Sequence, residues 1–268
     1  MNTANLPCLV AARPDVCVLA NNHVLDFGRR GLEETLDVLA AAGLRTAGAG
    51  RDLAGAQRPA VVAVDGGGRV VVVAFGTRSG GIPASWTATS DRAGVDLVGE
   101  LSAATAAEVA GRVRQATRAG DVVVASIHWG SNWGYEVAGE QVRFAHGLID
   151  GGVDVVHGHS SHHPRPVEVY RGRLILYGCG DFINDYEGTG GHAVYRDDLR
   201  LGYFASVEAG SGELAGLWMA PMQARRLRLQ RASRGDAAWL RGVLDRESGR
   251  FGVRVDLGPD SMLTLRWA

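Results

Sequence analysis

The 268 residues contain no lysine: all 28 basic side chains are arginines, set against 29 Asp and Glu. The net charge of −1 leaves no overall basic field to draw nucleic acid or anionic lipid, and nucleic acid is not expected as a partner. Cysteine is scarce. Cys8, Cys17 and Cys179 show no CxxC spacing and leave an odd one, which argues against a disulfide framework and for a reducing compartment. No apolar run approaches about 18 residues, so no membrane span is expected. The opening MNTANLPCLVAARPD lacks a basic start and a long apolar core, so no signal peptide is read and the expected location is cytoplasmic. Neither a Walker-type GxxxxGK[ST] nor a full dinucleotide fingerprint nor a GxSxG elbow is present, which sets aside three large enzyme classes.

What is present is an ordinary globular composition, 46% hydrophobic, in a chain long enough for a substantial core. Arginine in place of lysine, with abundant Ala, Gly and Val, fits a GC-rich bacterial genome and says nothing of mechanism. Short β-rich runs alternate with helical patterns. Strands are expected at Asp15–Ala20, Pro59–Val64, Val70–Phe75, Asp121–Ile127, Val153–Val156, Val167–Tyr170 and Leu174–Tyr177. Helices are expected at Gly31–Ala42, Leu101–Arg118 and Glu140–Ile149, the first stopped by Gly43. Residues 77 to 98 show no period and read as a long loop, a candidate lid. Tyr203–Glu208, Leu214–Met222 and Arg225–Leu229 read as antiparallel strands, Gly235–Ser248 as a last helix and Val253–Leu265 as a final hairpin. No repeat or linker divides the chain, so residues 1–268 are expected to form one α/β domain, with the chemistry-bearing motifs in 5–187 and residues 200–268 completing it.

Three apolar runs end alike. DVCVLA gives way to Asn21, Asn22, His23 and Asp26; DVVVASI to His128, Trp129 and Gly130; VDVV to His157, Gly158, His159, Ser160, Ser161, His162 and His163. In an open α/β sheet the loops at the carboxyl ends of parallel strands gather on one edge, where ligands bind. Six of the eight histidines fall in these three stretches, leaving only His146 and His192 elsewhere. A lone histidine after a strand is an ordinary loop residue, whereas three converging clusters point to a bound metal. Imidazole suits zinc, iron or manganese, and Asn and Asp oxygens favour a mixed N/O site over a zinc-thiolate one.

ANNHVLDFGRRGLEETLDVLAAAGLRTAGAGRDLAGAQRP, then IHWG, GVDVVHGHSSHH and VYRGRLILYGCGDF, in that order, resemble the CapA family of capsule and poly-gamma-glutamate synthesis proteins, related to the calcineurin-like metallophosphoesterases. The resemblance implies a four-layer α/β/β/α sandwich of mixed sheets, with a divalent metal (manganese, iron or zinc) at the strand C-terminal ends. Carried onto this chain, it makes Asn22, His128, His159 and His162 metal ligands, His23 the proton donor and Asp26 the group that orients it. Family members open on a strand ending in Gly-Asp, whose carboxylate binds metal. Nothing upstream of Asp15 supplies that strand, so the chain reads as lacking it.

GHSSHH stands where the family has GHHPH, leaving His163 as an alternative to His162, and Gly180-Asp181-Phe182 stands where it has GNF. Asp181 is thus a candidate carboxylate at the site. SNWGYE after His128 suggests a pocket of its own, with Trp129, Trp133, Tyr135, Glu136, His163 and Asp181 as candidate substrate contacts. The resemblance implies hydrolysis of a phosphoester by a metal-activated water, in capsule or polyglutamate-like polymer metabolism, on an anionic small-molecule or polymer substrate. Two alternatives stand beside it: a non-catalytic accessory protein that binds an anionic polymer or precursor, and an amide or peptide hydrolase. Gly48-Ala49-Gly50 reads as a tight turn. The run Arg225, Arg226, Arg228, Arg231 reads as a solvated face, with docking of an anionic polymer as its alternative.

Overall fold

The structure, a computed structural model, describes residues 3–184 and 192–268; residues 185–187, the end of the motif-bearing stretch, lie outside them. In chain order the elements are α1 Leu6–Ala12, β1 Val16–Val18, α2 Gly28–Ala41, β2 Arg45–Ala47, β3 Ala49–Gly50, α3 Leu53–Gln57, β4 Ala60–Ala63, β5 Arg69–Gly76, β6 Gly94–Val95, α4 Ala103–Ala116 and β7 Val122–His128. There follow α5 Gly139–Asp150, β8 Val155–His159, β9 Val167–Tyr170, β10 Arg173–Leu176, β11 Leu199–Val207, β12 Leu214–Arg225, β13 Arg228–Arg231, α6 Arg234–Ser248, β14 Arg254–Leu257 and β15 Leu263–Arg266.

The large sheet runs β4-β5-β7-β8-β10-β9. Strands β5, β7, β8 and β10 are parallel, with antiparallel β4 and β9 at the edges. Parallel neighbours need a long crossover, and α4 and α5 provide two of them. Side-chain caps set where helices start: the Ser102 hydroxyl accepts from the Thr105 N–H at the head of α4, and Ser233 from Asp236 at the head of α6. One face of the sheet buries Val123, Ala125, Ile127 and Ile175 against Val109, Val113, Phe144 and Leu148 of the two helices. The other face packs Val155, Val167, Leu174 and Leu176 onto Leu199, Leu217, Met219 and Leu263 of a second, antiparallel sheet. Core residues of the large sheet's second half and of the C-terminal sheet therefore share one cluster.

Helix α6 sends Leu240 and Leu244 into that same cluster, while Phe204 and Trp218, register partners on the far face of the second sheet, remain 57% and 44% exposed. The fold is mixed α/β: a six-stranded and a five-stranded sheet face each other, α4 and α5 cover the outer face of the first, and β1-β2 and β3-β6 form two further two-stranded sheets.

Three expectations are corrected. Strand β8 runs on to His159, so His157 and His159 are strand residues, because their pairing with Ser126 and His128 continues the ladder. Residues 77–98 are a packed connection and no lid: Ile82, Ala93 and Val95 are buried against Leu19, Leu25 and Leu32. The strand expected over Arg225–Leu229 is broken by a two-residue turn at Arg226 and Leu227. Helix α1 was not expected at all.

Candidate metal centre

Strand pairing brings the histidines together. Because β7 and β8 are parallel neighbours, Ser126 lies opposite His157 and His128 opposite His159. Alternation along a strand puts residues two apart on one face, so the four form a square. Its rungs are contacts: Ser126 Oγ to His157 Nδ1 at 3.0 Å, and His128 Nδ1 to His159 Nδ1 at 3.2 Å.

His128 is held by the turn 77–81. Its Nε2–H donates to the Gly80 carbonyl at 2.9 Å, which leaves Nδ1 as the lone pair facing His159. The turn presses closely enough that a Cβ on Gly80 would lie 2.6 Å from His128 Cδ2. On the next residue a Cβ would lie 3.4 Å from Asn22 Nδ2, so Asn22 and His128 flank the same two glycines. His159 Nε2 is buried without a hydrogen-bond partner.

Burial dominates the titration here. It pushes His128 down to about 4, helped by the nearby imidazoles of His23 and His162, and lowers His159 well below the usual histidine range. His157 is likewise pushed down to about 4 by burial. Neutral imidazole is the form that binds a metal. A backbone carbonyl that fixes one ring nitrogen while the other stays open is the usual support of a ligating histidine.

Two nitrogens held at about 2.1 Å from one ion stand about 3.0 to 3.4 Å apart, a range that includes the His128–His159 separation. The Nδ1–Nδ1 spacing fits a metal between the two rings, whereas the unpartnered His159 Nε2 is on the far edge of its ring and does not face that point. A closed cage is not formed: among the described residues no group of three or more His, Cys, Asp or Glu is arranged to hold an ion.

At the rim, His23 Nδ1–H donates to Asp26 Oδ2 at 2.8 Å, both side chains being largely in solvent. Asn21 Oδ1 accepts the His23 backbone N–H and shapes the turn. His162 Nδ1–H donates to Asp181 Oδ2 at 3.0 Å, and Asp181 also faces the buried guanidinium of Arg200 at 4.0 Å. Asp181 thus orients a histidine.

The proposed substrate wall divides. Trp133 stacks on His192 at 4.1 Å and stands 5.4 Å from the His162 ring; Tyr135 packs edge-on to His163. Glu136 is exposed, and its backbone carbonyl accepts from Arg165. Two residues do not face the site. Trp129 is 1% exposed, lies parallel to Tyr177 in the core and donates its indole N–H to the Tyr177 carbonyl. His163 is fully buried with both nitrogens engaged, donating to the Pro164 carbonyl and accepting from the Gly134 N–H, so it cannot replace His162. The Gly80–Gly81 turn, Arg200, His192 and Tyr195 were missed from the sequence. Glycine pairs and isolated arginines carry no chemical signature there, although the Gly-Gly pair was a readable sign of close approach.

The family model for the bacterial capsule synthesis protein PGA_cap matches residues 1–186. A "Probable polyglutamine synthesis accessory protein" of Mycobacterium tuberculosis is 52% identical over 266 residues, covering 99% of this chain and 70% of the relative. The PGA biosynthesis protein CapA of Bacillus subtilis is 30% identical over 170 residues, 63% of this chain and 42% of that protein. The capsule biosynthesis protein CapA of Bacillus anthracis is 28% identical over 177 residues, 64% of this chain and 40% of that protein. The ordered motifs and the whole-length similarity agree: this chain belongs to the bacterial capsule synthesis protein family of CapA.

Proposed function

We propose that the chain is a metal-dependent hydrolase that cleaves a phosphoester in capsule or polyglutamate-like polymer metabolism. The observation that carries this reading is the buried, neutral His128–His159 pair, with one nitrogen unpartnered and an exposed His23–Asp26 dyad at its rim. His128 and His159 would hold a manganese, iron or zinc ion, with the Asn22 amide and His162 as the neighbouring donors. Such an ion polarises a phosphoryl oxygen and makes a water more acidic.

The chain's own residues do the rest. Asp26 accepts from His23 Nδ1–H and orients the ring, so that Nε2 of a protonated His23 would deliver a proton to the leaving oxygen. Asp181 fixes the tautomer of His162. Trp133 and Tyr135 wall the approach, and the same residues would serve an amide bond. In this reading residues 1–268 act as one domain, and the two facing sheets are the inner layers of a metallophosphoesterase-like sandwich.

A non-catalytic accessory role, binding an anionic polymer or its precursor, is favoured by one observation: among the described residues no group of three or more His, Cys, Asp or Glu is arranged to hold an ion. Metal analysis of purified protein, with a screen of phosphodiesters and phosphomonoesters, separates the two. Metal with turnover supports hydrolysis; metal without turnover favours the accessory role; no metal, in wild type and His159→Ala alike, removes the centre.

A further inference from the structure

The hairpin joining β12 to β13 breaks three local rules within four residues. Arg226 and Leu227 form its two-residue turn at φ 51° and 56°, left-handed values that Asn-Gly adopts with little strain. Arg225 and Arg228 are register partners, so like charges face each other across the strands. Leu227, at the apex, is 67% exposed. Local rules are broken where something other than stability is served.

Residues 225–234 hold five arginines and no acid, in a chain whose net charge is −1. Arg231 and Arg234 rest on the carbonyls of Asp260, Gly258 and Pro259. Arg225, Arg226 and Arg228 are exposed, and among the described residues the nearby carboxylates are already engaged: Asp198 by Arg196 and Gln223, Asp236 by Arg196 and Ser233, Asp260 by the Met262 N–H.

We propose that this hairpin docks the protein on an anionic lipid surface, with the three arginines on the headgroup phosphates and Leu227 entering the boundary with the acyl chains. The chain as a whole offers no attraction to such a surface, so the contact is local. A soluble acidic polymer would neutralise the same arginines yet leave Leu227 in water. The apolar apex is the feature that selects the bilayer. No residue of the candidate metal centre takes part.

Co-sedimentation of the full chain with vesicles tests this, using phosphatidylcholine alone or mixed with phosphatidylglycerol. Binding is expected only to the mixed vesicles and weakens with salt. Each arginine removed costs about fivefold, so Arg225→Gln/Arg226→Gln/Arg228→Gln weakens binding about a hundredfold. Arg226→Asn/Leu227→Gly guards against misfolding: it relaxes the turn, is expected to raise Tm, and still weakens vesicle binding by about fivefold or more. Equal binding to both vesicles, or unchanged binding by either variant, overturns the proposal. Hairpin-dependent binding of soluble polyglutamate without vesicle binding also overturns it, in favour of the polymer.

Discussion

His128 and His159 meet nitrogen to nitrogen at 3.2 Å because they are register partners on adjacent parallel strands. Neither carries a proton between the rings by obligation: the His128 proton is committed to the Gly80 carbonyl, and burial keeps both rings neutral. A pair so placed is a ligand pair or a plain hydrogen bond. Mutation distinguishes them. His128→Ala and His159→Ala are each expected to lower bound metal at least tenfold, read by elemental analysis of protein purified without chelator. Metal retained by both variants would leave the pair a structural contact.

His23 and Asp26 are exposed, so their replacement leaves the core intact. His23→Ala is expected to lower phosphoester turnover by about 10² to 10⁴-fold with metal content unchanged. Asp26→Asn keeps a hydrogen-bond acceptor for His23 Nδ1–H but loses the carboxylate charge, and its loss of turnover should be smaller. Equal activity of His23→Ala and wild type would place the proton donor elsewhere.

Acid should unfold the protein before it approaches pH 4. His128, His157 and His163 are held at about 4 by burial, while the unfolded chain protonates histidine near its ordinary value. Below about pH 6.5 the unfolded state therefore takes up protons that the folded state refuses, at a cost to stability of up to about 3 kcal/mol per imidazole as pH approaches 4. Urea midpoints should be level above neutrality and fall as pH drops through that window. A rise on acidification would contradict the buried neutral assignment.

Gly80 and Asp181 support the centre without belonging to it. Gly80→Ala would drive a methyl into His128 Cδ2 and its carbonyl, and a loss of about 1 to 3 kcal/mol is expected, together with weaker metal retention. Asp181→Ala removes the carboxylate facing the buried Arg200 guanidinium, which keeps only the Asp197 and Leu199 carbonyls, and should cost about 1 to 3 kcal/mol, whereas Asp181→Asn still accepts from His162 and should cost less. Thermal denaturation orders the variants; equal losses for the two Asp181 variants would mean that Arg200 does not depend on the carboxylate.

Much was legible in the residues themselves. Valine-rich runs and amphipathic periods placed β5, β7, β8, α4 and α5 within a few residues, because local pattern and final burial agree there. The histidine clusters signalled a site because chemically costly side chains were repeated at strand ends. Sequence could not say which histidines look inward. GHSSHH offers three, and only packing reveals that His163 is spent on Pro164 and Gly134 while His159 keeps a bare nitrogen. It also could not tell Trp129 in the core from Trp133 beside His162 and His192, since neighbours on a strand and its following loop point to different faces.

What the chain's order of residues determined, then, is the set of strands and the chemistry at their ends, both local properties. What only the tertiary structure decided is the meeting of His128 with His159 and of Asn22 with the Gly80–Gly81 turn. Strand register and close backbone approach join positions tens of residues apart, and no local pattern encodes them.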